Sequence, residues 1–359
     1  MAVENKTHLS QSFIDLVEKL SNAPGVSGSE GAVRTIVREQ LDSLEIPYSI
    51  DALGNVLATR SCGKPGAFRL MLAAHMDEVG LMIVEEDEGG LYRFSTVGGI
   101  DTRVLPGKTV RVGKIQSPAI IGAKPIHLTD ADERKNPITL ETMRLDLGPG
   151  GAGKANPGDR AVFATEFHSN GFSFSGKALD DRLGVAILLT LLAEPPEKMD
   201  IIAAFTTQEE IGLRGARVAA HSIDPQAAIA IDATPANDLP AWNDDENTGY
   251  NTRLGYGPAL YIADGSTLSD PRMVKMFQQT ANKAGIQYQI RQPGGGGTDA
   301  GSIHKQREGI PSISISVPIR FAHTPCSIAW HSDIEGTLEL LRTVLKTFDT
   351  TVFINPDKR

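Results

Sequence analysis

The sequence predicts an α/β domain interrupted once by a small all-β unit. Three observations carry that expectation. Helical periodicity alternates with buried apolar runs at both ends of the chain, and the middle holds only brief strand-like runs. The 36 glycines and 21 prolines are scattered as turn residues rather than gathered in one tract, and no internal repeat is present. With 359 residues there is room for one large domain or two ordinary ones; 40% apolar against 22% charged residues is the balance of a globular chain.

Phe13, Leu16, Val17 and Leu20 recur at helical spacing, as do Val33, Ile36, Val37 and Leu41, with Ser29 expected to cap the second helix. Strands follow at 47–50, 56–59 and 68–75. From Glu78 to about Phe172, runs at 81–84, 91–95, 109–112, 119–121 and 161–166 are separated by Gly, Pro and Asp, the texture of a barrel or sandwich. After Gly176 the alternation returns. Helix 182–193 ends at Pro195-Pro196; strand 201–206, helix 214–220 and strand 227–231 follow. Helix 269–284 starts with Ser-Asp-Pro and stops at Gly285, strand 310–317 comes next, and helix 334–348 closes the chain. The breaks fall near Met76 and Phe174.

Composition narrows the function. A net charge of −9 with no basic run, and 6% aromatic residues, argue against nucleic acid and anionic membrane as partners. The longest apolar runs, such as 185–193, are about half the length that spans a bilayer. Residues 1–9 lack the apolar centre of a secretory signal. Cys62 and Cys326 are the only cysteines, which excludes a disulfide framework and a thiolate zinc site; a cytoplasmic location is expected.

The chemistry gathers at strand ends, where α/β sheets place functional groups. His75 and Asp77 follow the run Leu70-Met71-Leu72 and, two apart, point the same way in extended chain. Asp180-Asp181 opens an apolar helix, Glu209-Glu210 follows strand 201–206, Asp232 terminates another apolar strand, and His323 follows the last one. Each alone has a bland reading as a cap, a turn or a solvated helix start. Together they form a ligand set for metal. Two His, two Asp and one Glu contribute −3, two divalent cations +4, and a bridging hydroxide brings the sum to zero. Imidazole and carboxylate without thiolate point to Zn²⁺, Co²⁺ or Mn²⁺.

The runs HMDEVG, ALDDRLG, TTQEEIGLRGA, IDATP, GGGGTDAG and RFAHTP, in that order, resemble the glutamyl and deblocking aminopeptidases. These are dinuclear metallo-aminopeptidases, often tetrahedral dodecamers, and some relatives carry an endoglucanase label. The resemblance spans residues from about 10 to 349. It implies a three-layer α/β/α metallopeptidase domain with a mixed sheet (1–77 and 174–359), and an inserted barrel-like dimerisation domain (78–173). It also implies two divalent ions per subunit. Asp180 bridges them, His75 and Asp232 complete one site, and Glu210 and His323 the other. Glu209 is then the general base, Asp77 orients His75, and the Asp180–Asp181 bond is a candidate cis peptide. Asp299, beside the glycine run, is placed near the substrate pocket. That run lacks the Gly-Lys-Ser/Thr ending of a phosphate loop.

Two features depart from the family pattern. Thr324, Pro325 and Ser327 stand where Ser, Pro and Glu are usual, which leaves the surroundings of His323 open. The stretch 237–256, with Asp244, Asp245 and Glu246, is longer than expected and is read as a surface loop in preference to a lid. His8, His127, His168, His221, His304 and His331 have no ligand-like neighbours. The expected activity is removal of N-terminal residues from peptides by a homo-oligomer, most simply a dodecamer built from dimers. A related two-metal deacylase or carboxypeptidase is the nearest alternative. A glycoside hydrolase, needing a carboxyl pair about 5–9.5 Å apart and no metal, is a more distant one.

Overall fold

A computed structural model of the chain describes residues 9–241, 247, 249, 251–292 and 294–353. The acidic run Asp244, Asp245 and Glu246 lies outside the described residues, and among the described residues of 237–256 there is no helix or strand. No described helix is long and apolar enough to cross a membrane.

Four parallel strands form the centre of an 11-stranded sheet: Met199–Thr206, Phe68–His75, Ala227–Pro235 and Ser312–Arg320, side by side in that order. Antiparallel strands extend it at both edges, so the sheet is mixed. Each central strand is buried on both faces, as its near-continuous apolar sequence requires. Alternation along Phe68–His75 sends Leu70, Leu72 and Ala74 to one face and Met71 and Ala73 to the other. The first face packs against helices Gln11–Asn22, Gly31–Ser43, Leu179–Leu192, Pro271–Ala284 and His331–Thr347, the second against Arg214–Ile223 and Ala300–Ile303. Three layers result.

Two helix starts follow local capping chemistry. Ser10 caps Gln11–Asn22 by accepting from the Phe13 amide at 3.2 Å. Asp270 does the same for Pro271–Ala284 through the Arg272 amide, and Gly285 ends that helix at φ 69°. Ser29 does not cap the second helix. Glu30 occupies that position with no side-chain hydrogen bond to the helix, and the Ser29 amide instead closes a turn on Val26.

The all-β unit is a closed barrel of six antiparallel strands, Gly80–Glu86, Leu91–Val97, Arg144–Asp146, Ser117–Gly122, Thr109–Val112 and Arg160–Phe163 in order around it. Leu81, Ile83, Tyr92, Val110, Ile121 and Leu145 fill its own core. Closure settles barrel over sandwich and leaves no free edge. The chain leaves the large sheet after His75 and rejoins it at His168–Ser169, which pairs with Ser173–Gly176.

Candidate metal centre

Sheet register brings the first group together. Thr206 pairs with His75, and Ala230 with Ala73. Carried two residues on, the second pairing sets Asp232 abreast of His75 on the neighbouring strand. Asp232 therefore does not end its strand, which runs on to Pro235 while Phe68–His75 stops. Asp180 arrives from the far side, in the non-helical first turn of Leu179–Leu192, and the Asp180–Asp181 peptide bond is cis. His75 Nε2 stands 3.2 Å from Asp180 Oδ1 and 3.6 Å from Asp232 Oδ1.

The second group shares Asp180. Its Oδ2 is 3.5 Å from His323 Nε2, which is 3.3 Å from Glu210 Oε2. Glu210 follows the tight turn at Gln208, whose φ is 56°. In each group the donor atoms lie within 4.8 Å of one another. Donors about 2.0–2.2 Å from one ion stand about 3.3–3.6 Å apart in a tetrahedron, so the spacing fits cation ligands. Glu210 Oε1 is buried with no hydrogen-bond partner among the described residues, an arrangement that costs stability unless a cation faces it.

Electrostatics point the same way. Burial pushes Glu210 up to about 8 and Asp232 up to about 6, the latter with Asp180 adding like charge. Glu209 is also raised well above the ordinary carboxyl range by burial, with Asp232, Asp299 and Glu210 adding like charge. Burial is the largest single influence and works against the charged imidazoles, but their acidic partners together outweigh it (Asp180, Asp232 and Asp77 at His75; Asp180 and Glu210 at His323), raising His323 to about 10 and His75 well above its usual value. Acids and imidazoles that retain protons at this density are groups a divalent cation would deprotonate on binding.

Behind the donors lies Asp77. Its Oδ1 accepts from the Glu209 amide at 3.0 Å and stands 3.5 Å from His75 Nδ1; its Oδ2 accepts from the Glu210 amide at 3.2 Å and the Ser27 hydroxyl at 2.6 Å. The Asp77 carbonyl lies 3.1 Å from the same His75 nitrogen. One carboxylate thus ties an imidazole to the glutamate turn. On His323 the corresponding partner is the carbonyl of Gly99, 3.0 Å from Nδ1, contributed by the barrel unit. Thr324 and Ser327 do not reach the ring. Their hydroxyls donate to the Phe321 carbonyl and close the turn that carries it.

These groups line one cavity of about 550 Å³, with Glu209 on its wall beside Tyr261, Arg291 and Gly295 to Gly297. Asp299 does not line it. It is buried behind the wall, where Oδ2 accepts from Thr206 at 2.5 Å and burial pushes the carboxyl up to about 7. Within the glycine run, Gly297 is required by close packing, since a Cβ there would meet the Ser266 hydroxyl at 2.2 Å, and Gly296 by its φ of 81°. Ser27, Gly99, Tyr261 and Arg291 were not singled out by the sequence. For Arg291 the available signal was a cation three residues before the glycine run.

An α/β sheet whose carboxyl end carries two such ligand groups around a shared aspartate belongs to the metal-dependent hydrolases. Residues 54–340 match the M42 glutamyl aminopeptidases, and the chain belongs to that family, whose members depend on metal. The chain is 31% identical to the glutamyl aminopeptidase of Lactococcus lactis, covering 94% of this chain and 97% of that one. It is 30% identical to the lysyl aminopeptidase of Pyrococcus furiosus, covering 92% and 96%. Among solved structures, an aminopeptidase of Desulfurococcus kamchatkensis superposes with a TM-score of 0.89 at 32% identity, covering 97% and 98%. The TET1 peptidase of Pyrococcus horikoshii, described as assembling into a tetrahedron or a large octahedral shell, superposes at 0.81 with 31% identity, covering 93% and 99%.

Proposed function

We propose that this chain is a dinuclear metallo-aminopeptidase that removes N-terminal residues from peptides. The observation that carries the reading is the Asp180 carboxylate between two imidazoles, with Glu209 free on the wall of the same cavity. His75, Asp180 and Asp232 would hold one divalent ion, and Asp180, Glu210 and His323 the other, with Zn²⁺, Co²⁺ or Mn²⁺ suited to the donors. Bound there, the pair supplies a Lewis acid and lowers the pKa of water. Glu209 takes a proton from the attacking water at its carboxylate and returns it to the leaving amine nitrogen. Asp77 holds the backbone of Glu209 and Glu210, so it fixes the base and a ligand from one point.

Hydrolysis of aminoacyl-anilides tests this reading. Cleavage should require added metal, stop with EDTA and spare N-acetylated peptides. Equal cleavage of acetylated and free peptides would contradict it and favour a deacylase.

We read residues 78–173 as a dimerisation insert on a catalytic domain of 1–77 and 174–359. Ile115, Ile120, Ile126, Leu128 and Ile138 are exposed on that insert, and large apolar side chains in solvent support a subunit contact. Together with the assembly described for the TET1 relative, they favour a closed homo-oligomer, most simply a dodecamer. Light scattering that gives a monomer at micromolar concentration with metal present would contradict this.

A further inference from the structure

Next to the shared aspartate lies a buried cluster of charges that the proposed chemistry does not use. The Glu78 carboxylate accepts from Lys177 Nζ at 2.8 and 3.0 Å, from one Arg182 Nη at 3.0 Å and from the Gly25 amide at 2.9 Å. All three side chains are buried, and none lines the substrate cavity. Glu78 and Lys177 instead share a small hollow with Asp180, Glu210 and His323.

The two cations also finish the first helix. Lys177 Nζ donates to the Ala23 carbonyl at 2.9 Å, and the other Arg182 Nη donates to the carbonyls of Leu20 and Ala23 at 2.5 and 3.1 Å. These acceptors stand at the end of Gln11–Asn22, where a helix leaves carbonyls unpaired and favours positive charge. The guanidinium fits because residue 25 is glycine; a Cβ there would meet an Arg182 Nη at 2.5 Å. Ser21 adds a further tie, its hydroxyl donating to the Lys177 carbonyl at 2.7 Å.

Chain order gives the cluster its leverage. Glu78 follows Asp77, Lys177 lies three residues before Asp180, and Arg182 lies two after it. Between the cations Ala178 stands at φ 58°, a conformation that is costly for a residue with a Cβ and persists where its surroundings fix it. The turn that carries the shared carboxylate is thus pinned on both flanks to one helix end and one glutamate.

We infer that Glu78, Lys177 and Arg182 form a buried clamp that holds Asp180 between the two ion sites, which makes Lys177 and Glu78 positioning residues of the metal centre. The proposal rests on the dinuclear reading above and extends it from the ligands to what fixes the one they share.

The test measures Co²⁺ affinity by competition with a chelator, aminoacyl-anilide kinetics and melting of the metal-free protein, in native, Lys177→Met and Ser21→Ala forms. Lys177→Met leaves Glu78 and Arg182 as a balanced pair beside an apolar chain, a change that buried ion clusters often tolerate. Losing a positive charge near the ions would by itself tighten cation binding, so weaker binding marks lost position. Melting should stay close to native while both ions bind roughly 10–100-fold more weakly, the worth of a residue that orients a ligand. At saturating metal kcat should fall by a similar factor with KM within a few-fold, because the cluster does not line the cavity. Ser21→Ala should weaken both ions by a few-fold, and it decides the matter if the Met variant does not fold. Native affinity at both ions, or weakening confined to one of them, overturns the assignment. If the native protein binds fewer than two ions per subunit, the dinuclear reading fails instead and the clamp with it.

Discussion

His75 ends a strand hydrogen-bonded on both sides, with a side chain 3% exposed, whereas His323 sits on a hairpin turn at φ 56° with a side chain 41% exposed. The first imidazole is oriented by Asp77 from its own strand end, the second by a backbone carbonyl of the barrel insert. Sheet register therefore preforms one half of the centre, while the other depends on a turn and on where the insert docks. A metal ion at the His75 side should consequently bind more tightly and exchange more slowly.

The largest expected effect separates chemistry from both halves. Glu209→Gln keeps shape but removes the base, so kcat should fall by on the order of 10²–10⁴ with KM little changed and two metals per subunit retained. If that variant loses a metal, Glu209 is a ligand and the assignment of the adjacent acids is reversed. Next comes Glu210→Gln, which on the proposed assignment replaces a ligand of the exposed half only. Metal affinity there should fall by more than the roughly 10–100-fold worth of an outer-shell partner, and part of the activity should return with excess metal. Metal analysis that shows the His75 side emptied first would break the comparison.

Asp77→Asn is expected to act on both halves, because Asp77 faces His75 and binds the Glu210 amide. Roughly 10–100-fold in metal affinity or activity is the expected cost. An effect confined to one ion would show that only one of those contacts matters. The smallest change is Thr324→Ala. It removes the single hydroxyl donor that the Phe321 and Cys326 carbonyls share, about 1 kcal/mol in all, and should loosen the His323 side a few-fold without touching the other.

The same contrast explains what was legible in the sequence. Strand Phe68–His75 could be read residue for residue, because a continuous apolar run bounded by turns leaves little choice. Helix Pro271–Ala284 announced its own start at Asp270-Pro271 and its end at Gly285. Arg144–Asp146 was invisible: three residues carry no period, and only pairing with two barrel strands makes them a strand. The donor residues stood out because each is an acid or imidazole set against an apolar run, although Asp232 lies within its strand and Asp180 opens a helix. Their supports did not. Ser27 meets Asp77 across 50 residues, Arg291 meets Thr234 across 57, and Gly99 meets His323 across 224. Such contacts depend on which strands become neighbours and where the insert lies, and no local pattern encodes either. Asp299 is a different case: the resemblance set its loop near the substrate pocket, and that loop lines the cavity through Gly295 to Gly297, while the Asp299 carboxylate accepts from Thr206 behind them.

Anomalous diffraction from crystals grown with Zn²⁺ tests the central claim most directly. The account predicts two peaks about 3.5–4 Å apart with the Asp180 carboxylate between them, one beside His75 and Asp232 and the other beside Glu210 and His323. Brief exposure to EDTA should weaken the peak at His323 first. A single peak, or a pair that does not share Asp180, would contradict it.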